Sequence, residues 1–260
     1  MHTFITSLCA IALCLAACTS PRHELKVAAT PTPQAEILKF VKDDLKKEGI
    51  DLKIIKVYDY NIPNQSLANK EIDANYFQHE AFLENQEAQF HYCLVPLAKV
   101  HIEPLGLYSK TLTSLNDLPD GSKVAIPSDP TNEARALRLL AKEGLITLNQ
   151  DATNQISLFS IETNPKHLQF FVIDASILPM FLDDVALAAI PTNYALQAKL
   201  SPENDALAKE DASSPYTNEL VVRCGDESRE DLLKLKAALT SAKTRAYILE
   251  HFHGEILPAF

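Results

Sequence analysis

The chain has 260 residues, 47% of them hydrophobic and 22% charged, an ordinary globular composition that excludes disorder as its main character. Its 34 acidic residues outnumber 24 basic ones, giving a formal net charge of −10 with no long run of one sign, so no basic face is offered to nucleic acid. Six glycines are present, but neither GxGxxG nor GxxxxGK[ST] occurs, which removes the usual sequence evidence for nucleotide binding.

The N-terminus differs from the rest. From Phe4 to Cys18, FITSLCAIALCLAAC carries no charge. That stretch is shorter than the ~20 apolar residues a membrane-spanning helix needs and has the character of a signal-peptide h-region. Its end, LAAC at Leu15 to Cys18, resembles the lipobox of bacterial lipoproteins, in which cleavage before the cysteine leaves that residue as the lipid-bearing N-terminus. The resemblance implies a signal peptide at 1–17 and a lipidated Cys18 with its tether at 18–24. Cys9 and Cys14 then leave with the leader, and Cys93 and Cys224 remain. Two distant cysteines do not make a disulfide framework, and both are expected as buried thiols.

After the tether the chain alternates strands and helices. LKVAA (25–29) and LKIIKVY (52–58) read as strands. Between them, Ile37, Leu38, Val41 and Leu45 form one apolar helical stripe ended by Gly49. SLANKEIDANYF supplies a short helix feeding a third strand, and CLVPLAKVHIEPLGLYS two extended runs broken by prolines. The grammar restarts at Lys123 to Ile126, a strand followed by the turn-rich PSDPTN and a helix from about Asn132 to Glu143, closed by Gly144. LQFFVID and DVALAAI read as a strand pair around ASILPMFLDD, and the tail REDLLKLKAALTSAKTRAYILEHF as amphipathic helix folding back on the first lobe. Two β-α-β sets in one chain predict an α/β protein of two lobes with a cleft between them. The aromatic cluster in DANYFQHEAF is notable because aromatics make up only 7% of the chain. By strand alternation, Tyr76 and Phe77 face opposite sides of the sheet, and read alone the cluster is more often core than site.

Several blocks, AATPTPQAEIL, DYNIPNQSLANKEIDANYFQH, KVHIEPLGLYSK, LPDGSKVAIPSDPTNEARAL, NYAL and SPYTN, stand in an order that resembles the methionine-binding lipoproteins of the NlpA/MetQ type, which serve ABC importers. The resemblance runs from about Leu25 to the closing ILPAF. It implies a periplasmic-binding-protein type II-like fold with lobe 1 at 25–107 plus 216–260 and lobe 2 at 108–215, L-methionine as ligand, and no cofactor. It also implies an ABC permease and its ATPase as partners, and a lipid-anchored place at the bacterial cell membrane, facing the periplasm or exterior.

The same resemblance implies a site. Arg135 meets the ligand carboxylate, for which a planar guanidinium offers a bidentate fork. Asn193 and Asn218 receive the ammonium through side-chain carbonyls. Tyr60, Phe77, His79, Phe82 and His101 line the side-chain pocket, where rings hold a thioether by burial and sulfur–aromatic contact. Ala28 and Thr32 stand where the family usually has glycine, and Phe82 where it often has tyrosine.

Zinc carriage is the alternative ligand reading, on His79, His91, His101 and Glu103. No HxH or HxxxH pair occurs among these four residues. A surface lipoprotein with an added adhesin or antigen role is a further alternative. No GxSxG elbow or HExxH occurs, and the expectation is a binding protein, not an enzyme.

Overall fold

The computed structural model describes residues 23–149 and 156–260. The signal peptide, Cys18 and the tether as far as residue 22 lie outside the described residues. The first part of the chain gives β1 (His23–Ala29), α1 (Gln34–Lys47), β2 (Ile50–Lys56), α2 (Ile62–Ala68), β3 (Ala74–His79), α3 (Glu80–Phe90) and β4 (Leu94–Ile102). The middle part gives β5 (Gly106–Tyr108), β6 (Lys123–Pro127), α4 (Pro130–Lys142), β7 (Thr147–Leu148), β8 (Ile161–Thr163), β9 (Gln169–Ile173), β10 (Leu187–Ile190), α5 (Thr192–Gln197) and β11 (Ala206–Lys209). The last part gives β12 (Thr217–Arg223), α6 (Glu230–Leu239), α7 (Ala242–His251) and β13 (Leu257–Pro258).

Two main sheets result. The first has six strands in the order β13-β4-β12-β3-β1-β2, and the second five in the order β11-β5-β10-β6-β9. The chain passes from the first sheet to the second after β4 and returns before β12. Strands β1, β2 and β3 are parallel, and β12 runs antiparallel to both β3 and β4, so all four of β1 to β4 point their carboxyl ends toward the crossovers. In the second sheet β6, β9 and β10 are parallel, and the carboxyl end of β10 pairs with the first residue of β5, just past the first crossover. Both sheets therefore aim the carboxyl edges of their parallel strands at the same place, where ligand sites of open α/β sheets form.

Burial explains the strand patterns. Leu25, Val27 and Ala29 of β1 enter the core under α1, α6 and α7, while Ala28 enters a second cluster with Leu67, Leu83 and Val221 on the other face. A strand covered on both faces reads as continuously apolar, as LKVAA does. The α1 stripe of Ile37, Leu38, Val41 and Leu45 is buried as its spacing requires, and Gly49 follows the helix at a φ of +84°, a conformation glycine adopts without a Cβ clash. The tail forms two helices, α6 and α7, whose Leu232, Leu235, Leu239 and Ile248 join the core of the first sheet.

Four expectations change. LQFFVID and DVALAAI both form strands, but β6 lies between them and pairs with each. Pro96 sits inside β4, paired with Val221, and the break in that region comes at Pro104. Helix α3 is additional to the expected elements, because EAFLENQEAQF buries only Phe82 and Leu83 and has no apolar period. Cys93 and Cys224, expected as buried thiols, are exposed and joined in a disulfide with their Cα atoms 5.4 Å apart. The cause is the β4–β12 ladder, which pairs Leu94 with Arg223 and brings the Cys224 N–H to the Cys93 carbonyl at 3.0 Å.

Candidate ligand-binding site

The aromatic cluster of DANYFQHEAF is divided by a strand-to-helix junction. On β3, Tyr76 is fully buried in the core of the first sheet, and Phe77 turns to the crossover edge. His79 ends the strand and caps α3: its Nδ1 accepts the backbone N–H of Phe82 at 3.2 Å. Phe82, one turn into α3, then meets Phe77 and Tyr60 edge-on, with ring centroids 5.7 Å away in each case. The two sheets meet through Tyr60 as well, because its ring lies 5.1 Å from that of Tyr194 on α5.

Opposite these rings stands α4. Asp129 caps its N-terminus by accepting the Asn132 N–H at 2.9 Å, and Arg135 lies one turn further on. Arg135 is only 4% exposed. Tyr60, Phe77, Gln78, His79, Phe82 and Asn218 from the first sheet and Asn132 and Arg135 from the second enclose one shared cavity of about 20 Å³. That is room for a single water.

Arg135 makes an unusually complete set of bonds. Its Nε donates to Glu210 Oε1 at 3.1 Å and its Nη2 to Glu210 Oε2 at 2.6 Å. Nη2 also donates to the Glu103 carbonyl at 2.9 Å and Nη1 to Asn132 Oδ1 at 3.0 Å. The Tyr216 ring covers its face, 4.3 Å from ring centroid to guanidinium carbon. Burial opposes the charge, but the Glu210 carboxylate outweighs it and holds the arginine pKa above its ordinary value. The bidentate fork expected for a ligand thus belongs to Glu210, and among the described residues the N–H left over is the second one on Nη1, the nitrogen that also bonds Asn132. For His79, burial first and the Arg135 charge second push the pKa down to about 3, so its imidazole is neutral. With Nδ1 accepting from Phe82, the proton sits on Nε2, facing Asn132 Oδ1 at 3.4 Å.

Asn193 and Asn218 approach from two directions. Asn193 begins α5; its Oδ1 accepts the Tyr60 hydroxyl at 2.6 Å, its backbone N–H donates to Glu103 Oε2 at 3.0 Å, and its buried Nδ2 has no partner among the described residues. Asn218, at the start of β12, accepts from Gln34 Nε2 at 3.0 Å. The same Gln34 Nε2 bonds Glu103, which also accepts from His101 Nε2 at 2.8 Å. His101 is fully buried between Glu103 and the Tyr76 hydroxyl, behind the cavity wall and not on it. His91, the remaining histidine of the zinc alternative, is an exposed C-cap of α3 in the left-handed region. Among the described residues no group of three or more His, Cys, Asp or Glu is arranged to hold a metal ion. Neither Ala28 nor Thr32 has a positive φ, so neither place requires glycine for backbone reasons.

Three residues central to this arrangement carried little or no sequence signal. Glu210 stands in no motif, while Gln34 lies in AATPTPQAEIL and Glu103 in KVHIEPLGLYSK and in the zinc alternative, neither with a role in holding methionine. Each is identifiable only once the crossovers bring together positions far apart in the chain.

The residue after Asn218 has a different character. Glu219 is fully buried, neither carboxylate oxygen has a hydrogen-bond partner among the described residues, and the Lys99 Nζ is 3.8 Å from Oε1. Burial first, then the like charge of Glu80, raises its pKa to about 7; Lys99 opposes the shift and Glu84 adds to it. The folded chain thus holds this proton more tightly than the unfolded chain, whose glutamate titrates near 4.5. Below 4.5 both states are protonated and nothing is lost; stability falls as pH rises from 4.5 to about 7 and the loss is complete above it. Glu219→Gln is expected to be more stable than the parent at pH 8 by up to about 3 kcal/mol, and equal to it at pH 4, in urea unfolding. An unchanged difference between the two pH values would contradict this account of Glu219.

A sequence model described as NlpA lipoprotein matches residues 25–260. The methionine-binding lipoprotein MetQ of Bacillus subtilis (strain 168) is 39% identical over 244 residues, 92% of this chain and 89% of the relative. The D-methionine-binding lipoprotein MetQ of Salmonella typhi is 37% identical over 249 residues, 93% of this chain and 92% of the relative. Among solved structures, a nutrient binding protein from Burkholderia cenocepacia bound to methionine superposes with a TM-score of 0.88 at 40% identity, covering 91% of this chain and all of that one.

Proposed function

Because this chain belongs to the NlpA lipoprotein family, we propose that it captures free methionine in the cleft between its two sheets and delivers it to an ABC importer. The observation that carries this reading is the cavity itself. It collects one buried cation, aromatic rings and amide groups from both sheets in one place, as a zwitterion with an apolar tail requires. Relatives named for methionine and a similar structure bound to methionine support the ligand.

Each end of methionine has chemistry to meet it. Arg135 takes the carboxylate through the free N–H of Nη1, a charge-assisted bond in a site closed to water. The ammonium lies with the carbonyls of Asn193 and Asn218, and Glu103 close behind them supplies the compensating negative charge. Tyr60, Phe77 and Phe82 shelter the thioether, and neutral His79 adds no charge to that pocket. A cavity of about 20 Å³ is far below the ~300 Å³ at which small-molecule sites begin, so admission requires the two sheets to part. We take the two sheets as the two moving lobes, with Glu103–Leu105 and Glu210–Tyr216 as the hinges; the first division then falls before Gly106 and not at 107/108, because Gly106 and Leu107 of β5 pair into the second sheet. Closed-state contacts then favour the closed form when ligand is present.

The partners follow from this role. A permease and its ATPase would receive the loaded protein, and a lipid on Cys18 would hold it at the membrane facing the periplasm or exterior. No described helix is long and apolar enough to cross a membrane. The test is mass spectrometry of the small molecules released when the purified protein is denatured. Methionine in near-stoichiometric amount is expected, and a different ligand present at that level would overturn the assignment.

A further inference from the structure

Glu210 occupies a position that ligand capture alone does not account for. It lies on the return crossover, one residue past β11, and its side chain is 13% exposed. Oε1 accepts from Arg135 Nε, and Oε2 accepts from Arg135 Nη2, from the Leu105 N–H at 3.0 Å and from the Ser214 hydroxyl at 3.2 Å. Its own N–H donates to the Leu105 carbonyl at 3.0 Å. Leu105 lies on the outgoing crossover and Ser214 on the return one. A single carboxylate therefore binds both connections between the sheets and the cation that faces the cavity.

We propose that Glu210 is the positioning residue for carboxylate recognition: it fixes the Arg135 guanidinium by its Nε/Nη2 edge so that Nη1 faces the cavity, and ties that orientation to the hinge. This rests on the methionine reading of the site. An arginine on a flexible stem visits many rotamers, and ordering it at the moment of binding would be subtracted from affinity. Here the ordering is complete before ligand arrives, because four of the five guanidinium N–H groups are engaged. Together with the Glu103 carbonyl and Asn132, Glu210 leaves a single N–H for the ligand among the described residues, so the geometry accommodates one carboxylate oxygen and penalises a ligand that needs the whole fork.

The distinguishing feature of a positioning role is that only ligands using the charge of Arg135 should sense it. Binding of L-methionine and of L-methioninamide, which lacks the carboxylate charge, is to be measured by calorimetry on the parent protein, on Glu210→Gln and on Ser214→Ala. Glu210→Gln is expected to weaken methionine about 10- to 100-fold, the scale of one charge-assisted hydrogen bond, and methioninamide less than about 3-fold. Ser214→Ala keeps the charge and removes one restraint on it, and is expected to weaken methionine about 2- to 3-fold with no change for the amide. An equal loss for both ligands in either variant would mean a general structural role and overturn the proposal. Tighter methionine binding in Glu210→Gln would mean that Glu210 competes with the ligand, and would also overturn it. A parent protein that binds neither compound would instead refute the methionine reading on which the proposal stands.

Discussion

Arg135→Ala is expected to lower methionine affinity by about 3–5 kcal/mol, two to four orders of magnitude, because the ligand carboxylate would be buried without its cation. Calorimetry at saturating protein reads the loss directly. The same substitution strands Glu210, whose charge is balanced by Arg135 at 2.6 Å in a site almost closed to water. Breaking one side of a buried pair destabilises by roughly 3–5 kcal/mol, so this variant should also unfold at a lower temperature. The two effects separate in the Arg135→Ala/Glu210→Gln double variant, which removes the stranded carboxylate. Stability should largely return in it while methionine affinity does not. Recovery of affinity together with stability would show that Arg135 served the fold and not the ligand.

Removal of the disulfide is expected to have a stability effect of similar size and none on the chemistry of the site. Cys93 and Cys224 are 131 residues apart, and closing a loop of that length restricts the unfolded chain by about 4–5 kcal/mol in the chain-entropy description. The bridge lies at the amino end of β4 and just past the carboxyl end of β12, a full strand length from the cleft edge. Replacing both cysteines with alanine should therefore lower the melting temperature by roughly 10 °C. Methionine affinity measured well below the transition should stay within about 3-fold of the parent, about 0.6 kcal/mol. A melting temperature unchanged by the double replacement or by reductant would contradict a formed bridge.

What could be read from the sequence followed from local physics. Ile37, Leu38, Val41 and Leu45 announced α1 because one helical face must be buried, and LKVAA announced β1 because a strand covered on both sides is apolar throughout. Helix α3 gave no such sign. It carries Phe82 and Leu83 inward at one end and is otherwise polar, held in place by the His79 cap and the strand before it. The disulfide was invisible for a related reason: neither cysteine has a local signature, and only the long-range β4–β12 register makes them neighbours.

The site divides in the same way. Arg135, Asn193, Asn218 and the rings were identified through a family resemblance, and the fold gathers all but His101 at or next to one cavity. His101 faces Tyr76 and Glu103 instead, so its contribution is to hold the carboxylate behind the amides. Glu210 has no distinguishing mark among 34 acidic residues, Glu103 stands out only in KVHIEPLGLYSK and the zinc alternative, and their bonds to Arg135 span 32 and 75 positions. The guanidinium fork expected to be free for ligand is therefore already filled, a fact that residue type and spacing could not contain.

Titration of L-methionine into the protein, after unfolding and refolding to remove any bound ligand, tests capture in the cleft most directly. Saturable binding of one methionine per chain, unaltered by a chelator, is the predicted result. Absence of any methionine-dependent heat or melting shift in protein shown to be refolded, or binding of zinc in its place, would contradict it.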